Sequence, residues 1–249
     1  MSSIYNNFSI NNNINIPKIS FRSTVAPYTP VRHSENDVYV SNPLYEKFGT
    51  KAEIEALAKT NPRIKEMTAE HNLPIVVNQE ELEKLKSGHL KNTRIRVAKM
   101  YSELPDNLKA TVNPAVLQEA AIFHDYGKVL IPSDILNKEG SLTEEEWRIM
   151  QLHPEIGAEL LKGKVDDRVL DLVKYHHQDS SGTGYPAIDN YVYGLDSELI
   201  MLADKYEALT EDRSYKKALS KEEALEIIEN DVRSGQISQE AFNALIRTV

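Results

Sequence analysis

The sequence predicts an all-α fold, a helical bundle preceded by a largely disordered N-terminal leader. Three observations predict it. From about residue 50 the apolar residues recur at helical spacing. Paired capping residues stand immediately ahead of several of those runs. No convincing alternating strand pattern appears after residue 80.

Residues 1–45 form the expected leader. Asn6, Asn7, Asn11, Asn12, Asn13 and Asn15 crowd its start, and Pro17, Pro27, Pro30 and Pro43 punctuate the rest. Such a segment buries too little apolar surface to offset the entropy of ordering it. Ile14, Ile16, Ile19 and Phe21 alternate like a short strand, so a tail docked on the main domain is the competing reading.

Residues 46–84 read as a short helical lead-in. Ala52, Ile54, Leu57 and Ala58 suggest one helix, and Leu82 and Leu85, continuing to Leu90, another. The main domain is expected over 85–249. Within it, Asn113 before Pro114 makes an N-cap and first-turn pair for a helix running toward His124. Thr143 with Glu146 forms a capping box ahead of Trp147 and Met150, and Ser220 with Glu223 forms another ahead of Leu225 and Ile228. Leu170, Leu172 and Val173 lead up to His176, and Leu199, Ile200, Leu202 and Ala203 lead into Asp204.

At 249 residues the chain holds one good-sized domain, or one domain with an appendage. Its 29 Lys and Arg against 38 Asp and Glu leave a formal charge of -9. That sign argues against DNA or RNA as a partner, which needs a basic surface. A small anionic substrate stays compatible, because bound cations can invert the local field. With no cysteine, disulfides, thiolate metal sites and cysteine nucleophiles are excluded. No basic start followed by an apolar run suggests a signal peptide. No stretch approaches the roughly 18 to 20 apolar residues of a membrane span, so a cytoplasmic protein is expected.

Five of the seven histidines, His89, His124, His153, His176 and His177, fall in the helical half. His124 is followed by Asp125, Gly127 and Lys128; His176 and His177 are adjacent. Asp204 interrupts an apolar helical run, where an unpaired carboxylate is costly to bury. Imidazoles and carboxylates together suit divalent ions such as iron, manganese, zinc or nickel. Two such ions about 4 Å apart can activate water at neutral pH and clamp both oxygens of an in-line phosphoryl displacement. One aspartate has an oxygen for each ion. Neighbouring side chains on a helix diverge by about 100°, so the His124-Asp125 doublet should lie near a helix end, with Gly127 marking the break.

These residues resemble a known family. His124-Asp125-Tyr126-Gly127-Lys128 is similar to the signature of the HD-superfamily metal phosphohydrolases. His176-His177-Gln178, with Gly182-Thr183-Gly184-Tyr185-Pro186 after it, resembles the histidine pair and Gly-Tyr-Pro element of the HD-GYP subgroup. Leu202-Ala203-Asp204-Lys205 with Arg213-Ser214-Tyr215-Lys216 resembles that subgroup's next block, and His153-Pro154 with Gly157 its linking region. The likeness runs from about residue 85 to the C-terminus.

The resemblance implies an HD-type bundle with a buried metal site and hydrolysis of cyclic-di-GMP to linear pGpG, with GMP as a further product. Hydrolysis of another nucleotide, or a slow cyclic-dinucleotide-binding signalling module, stays open. It further implies two divalent ions, iron or manganese ahead of zinc or nickel, on His89, His124, Asp125, His153, His176, His177 and Asp204. His124, Asp125 and Lys128 would be catalytic. Lys128, Gly184, Tyr185, Arg213 and Lys216 would contact a cyclic dinucleotide substrate. A homodimer or a signalling-protein partner is left open. Gly184-Tyr185-Pro186 also reads as a plain turn with Tyr185 on the core, and Lys216-Lys217 as a solvated face. Three departures stand out. Leu85 replaces the glutamate that supports a third metal in some members, Gln178 stands where glutamate is usual, and Ser181 where aspartate is common.

Overall fold

The computed structural model describes residues 47–86, 91–187, 193–211 and 217–249. Its helices are α1 (Lys51–Thr60), α2 (Pro62–Glu70), α3 (Gln79–Lys86), α4 (Lys91–Glu103), α5 (Asp106–Lys109) and α6 (Pro114–Phe123). A 3-10 turn (Tyr126–Leu130) follows, then α7 (Ser133–Leu136), α8 (Glu144–Met150), α9 (His153–Leu161) and α10 (Asp167–Lys174). The chain closes with α11 (Leu195–Thr210), α12 (Lys221–Arg233) and α13 (Gln239–Ile246). Among the described residues the only β feature is an isolated antiparallel bridge between His177 and Tyr185. The fold is all-α, as expected. The leader lies outside the described residues.

The caps sit where the side chains dictate. Asn113 accepts from the Ala115 and Val116 amides at the start of α6. Thr143 with Glu146, and Ser220 with Glu223, form complete capping boxes on α8 and α12. Thr50 with Glu53 forms a third on α1. Each such cap stabilises by about 1 kcal/mol.

Helix α6 is the centre of the bundle. Leu117, Ala120, Ala121, Ile122 and Phe123 are all buried, and a helix apolar on every side must be enclosed. Helices α4, α10 and α11 enclose it. The lead-in joins the same core: α1 and α2 pack on α9, and α3 packs on the 3-10 turn. Phe48 sits 4.8 Å from Phe123 and 4.9 Å from Tyr126, ring to ring, and its carbonyl accepts the Tyr126 hydroxyl.

Gly127 plays a different part from the expected helix stop. Helix α6 ends at Phe123 with His124 as its C-cap in ordinary right-handed conformation, φ -51 and ψ -39. Gly127 lies inside the 3-10 turn and does not adopt a left-handed φ. What it lacks is space: a Cβ there would lie 1.9 Å from the His153 carbonyl oxygen and 2.6 Å from the Gly157 nitrogen. Bare backbone is therefore what lets the 3-10 turn press against the start of α9. That contact brings the His124-Asp125 doublet up to His153. Among the described residues no helix is long and apolar enough to cross a membrane.

Candidate metal centre

Three histidines arrive from three helix ends in one orientation. His124 caps α6, His153 opens α9, and His176 lies just past α10. Each Nδ1 faces the carbonyl oxygen three residues back: Ala121 at 2.9 Å, Met150 at 2.7 Å and Val173 at 2.7 Å. A carbonyl only accepts, so each Nδ1 carries the hydrogen and donates. In a neutral ring Nε2 then keeps its lone pair. This arrangement, a backbone bond fixing tautomer and ring angle, is the usual outer support of a metal-binding histidine.

The free nitrogens converge. His153 Nε2 lies 3.3 Å from His176 Nε2. Asp125 Oδ1 lies 3.4 Å from His153 Nε2 and 4.0 Å from His176 Nε2. On the other side, His124 Nε2 lies 3.4 Å from Asp125 Oδ2 and 3.5 Å from Asp204 Oδ1. Two donor groups result, His153 with His176 and His177, and His124 with Asp125 and Asp204. In each, the ligand atoms lie within 4.8 Å of one another. Asp125 turns one oxygen toward each group.

The donors fit divalent cations. His124, His153 and His176 are 1% exposed, so lone pairs facing at 3.3 Å repel in a poorly screened interior. Asp125 Oδ1 is buried and finds no hydrogen-bond partner among the described residues. A cation between the groups relieves both costs, and a mixed set of nitrogen and carboxylate donors suits first-row divalent ions.

Proton affinities follow the same geometry. Burial, then the Lys128 charge, pushes His153 down to about 3. Burial alone dominates at His177, pushed down to about 4. Burial and the neighbouring His177 hold His176 well below the usual histidine range. Burial also opposes ionisation of Asp125 and Asp204. Lys128 then His124 outweigh it at Asp125, and the His124 hydrogen bond outweighs it at Asp204, so both stay low. His124 goes the other way: burial opposes its charge, yet Asp125 and Asp204 push it up to about 10. Flanked by both carboxylates, that ring retains a proton where a cation would otherwise stand.

Lys128 Nζ is 2.6 Å from Asp125 Oδ2, one 3-10 step from the doublet. Tyr185 stacks on His177 with centroids 4.5 Å apart and planes at 25°. The close approach that Gly184 permits is to the protein itself: a Cβ there would lie 1.9 Å from the His177 carbonyl oxygen. His89, Arg213 and Lys216 lie outside the described residues. Lys217 is exposed.

Three residues acquire roles that sequence reasoning missed. Gln178 is 1% exposed, and its Nε2 donates to the Pro186 carbonyl, tying the Gly-Tyr-Pro loop to the histidine pair. Trp147 meets Tyr185 edge-on at 5.8 Å. Gly157, flagged only by its place after His153-Pro154, supplies the other half of the Gly127 contact.

Comparison with known proteins identifies the family. The family model described as HD domain matches residues 51–239. The chain is 36% identical over 156 residues to a cyclic di-GMP phosphodiesterase of Pseudomonas aeruginosa, covering 59% of this chain and 34% of that one. It is 40% identical over 124 residues to a cyclic di-GMP phosphodiesterase of Vibrio cholerae, covering 45% and 25%. It is 29% identical over 155 residues to 3′3′-cGAMP-specific phosphodiesterase 1 of Vibrio cholerae, covering 61% and 36%. The chain thus spans about a quarter to a third of the length of these relatives. With the family model covering most of the chain and the His124-Asp125 doublet at the meeting point of both donor groups, the chain belongs to the HD domain family.

Proposed function

We propose that the chain is a metal-dependent phosphodiesterase that opens the ring of cyclic di-GMP. Water adds at phosphorus, one P–O3′ bond breaks, and linear pGpG leaves with a free 3′-hydroxyl. A second hydrolysis would give GMP. The observation that carries this reading is the position of Asp125, with one oxygen toward His153 and His176 and the other toward His124. The names of the relatives, at 36% and 40% identity, supply the substrate.

His124, Asp125 and Asp204 would hold one divalent ion, and His153, His176 and His177 with Asp125 the second. Iron or manganese suits these donors first; zinc and nickel accept the same set. When bound, such ions stabilise charge on phosphoryl oxygens and make water nucleophilic at neutral pH. The chain's own residues do the rest. The Ala121, Met150 and Val173 carbonyls hold the three rings with Nε2 inward. Lys128 steadies Asp125 and adds positive charge that favours an anionic phosphodiester. Burial of the histidines strengthens every one of these electrostatic contacts. His89 would be a further ligand, and Tyr185, Gly184, Arg213 and Lys216 would contact the substrate.

A mixed cyclic dinucleotide is the second substrate reading, supported by the cGAMP-specific relative at 29% identity. The test is turnover of cyclic di-GMP and 3′3′-cGAMP by protein loaded with manganese or iron, followed by product chromatography. His124→Ala combined with Asp125→Ala should abolish turnover while the helical content stays. Turnover surviving in that double variant would contradict the assignment.

A further inference from the structure

Trp147 is the chain's single tryptophan, and at 38% exposed it is one of five large apolar side chains left open to solvent among the described residues. The other four, Val76, Ile95, Ile227 and Ile246, are aliphatic. An exposed indole is worth explaining, because helix α8 already turns Ile149 into the core. What distinguishes Trp147 is the company of its ring. It meets Tyr185 edge-on, centroids 5.8 Å apart at 77°. Tyr185 stacks on His177 at 4.5 Å, and His177 meets His153 edge-on at 5.1 Å. A series of rings therefore runs from the candidate metal centre to the surface, and Trp147 is its exposed end.

Tyr185 has one face committed to His177, which limits what it can offer a ligand. Trp147 keeps open ring surface two ring contacts from the donor groups. We propose that Trp147 is the stacking platform for a purine base of the dinucleotide whose phosphodiester lies at the metal centre. This rests on the phosphodiesterase reading above. Every base presents a π-face, so stacking on an indole supplies affinity without reading base edges. Trp147 is remote from the reacting atoms, so its contact is the same in the ground and transition states, and its loss falls on KM.

The test has two arms. In the first, kcat and KM for cyclic di-GMP are measured for the parent chain, Trp147→Ala and Trp147→Phe with the same metal. Trp147→Ala should raise KM about tenfold, the low end of what base stacking contributes, with kcat within about twofold. Trp147→Phe should restore most of the affinity. Equal KM in Trp147→Ala and the parent overturns the proposal while leaving the phosphodiesterase reading intact. An inactive parent overturns that reading itself. The second arm needs no variant. Linear pGpG titrated into the metal-loaded parent chain should quench the emission of the lone indole with a saturating curve. Binding registered by calorimetry with unchanged emission overturns the proposal.

Discussion

The Nε2 atoms of His153 and His176 face each other across 3.3 Å, each ring having committed its Nδ1 hydrogen to a backbone carbonyl. Two inward lone pairs at that distance repel, and a positive charge set between them relieves the repulsion.

A cation that enters the site binds the folded chain and not the unfolded one. Manganese at about a hundred times its dissociation constant should therefore add about 2.7 kcal/mol of stability for each ion bound. Thermal unfolding of chelated protein, with and without added manganese, measures this as a rise in Tm. His176→Ala, which removes a ligand from one of the two donor groups, should lose about half of the rise.

Without metal, stability should depend on pH in a defined direction. His153 at about 3, His177 at about 4 and the lowered His176 bind protons more weakly folded than unfolded. The unfolded state takes up protons first as pH falls through about 6.5, so folding stability drops below that pH. His124, raised to about 10, contributes stability that is present below about 6.5 and lost as pH climbs through 10. Chelated protein should be most stable near pH 7 and lose about 2 kcal/mol or more by pH 5. Denaturant titrations across that range check it, and a flat profile would mean the rings are not held neutral.

Gly127→Ala tests the backbone contact that sets the site. The added Cβ meets the His153 carbonyl and the Gly157 nitrogen, neither of which can swing aside as a side chain would. Destabilisation of about 3 kcal/mol or more is expected, with weakened metal uptake in whatever remains folded. Gly140→Ala is the control. A Cβ there meets nothing within 4 Å, though its φ of +95 adds local strain.

Gln178 donates to the Pro186 carbonyl from a buried position. Gln178→Glu would set a carboxylate against that carbonyl, removing the bond and burying a charge. A loss of about 1 to 3 kcal/mol is expected, along with a raised KM as the Tyr185 loop loosens. Denaturant melts and kinetics of the variant measure both. Improved activity in Gln178→Glu would instead mark the position as catalytic.

The residue order made the helix starts and the donor types legible. Asn113-Pro114, Thr143 with Glu146, and Ser220 with Glu223 act locally, so short-range chemistry was enough to find them. His124-Asp125 at a helix end followed from helical geometry alone. Gly127 was harder, because the same residue serves as a helix stop or as a gap for a passing backbone. Only the position of α9 decides between them. The Trp147–Tyr185 contact joins residues far apart in the chain, and the Gln178–Pro186 bond depends on loop shape. Neither leaves a periodic signal.

Metal content decides whether the two donor groups share Asp125. Protein purified without oxygen and analysed by elemental mass spectrometry should carry two divalent ions per chain. Asp125→Ala, which removes the carboxylate facing both donor groups, should carry one or none while staying folded. Two ions still bound in Asp125→Ala, or a parent chain that takes up no metal under any loading condition, would contradict the shared-carboxylate centre.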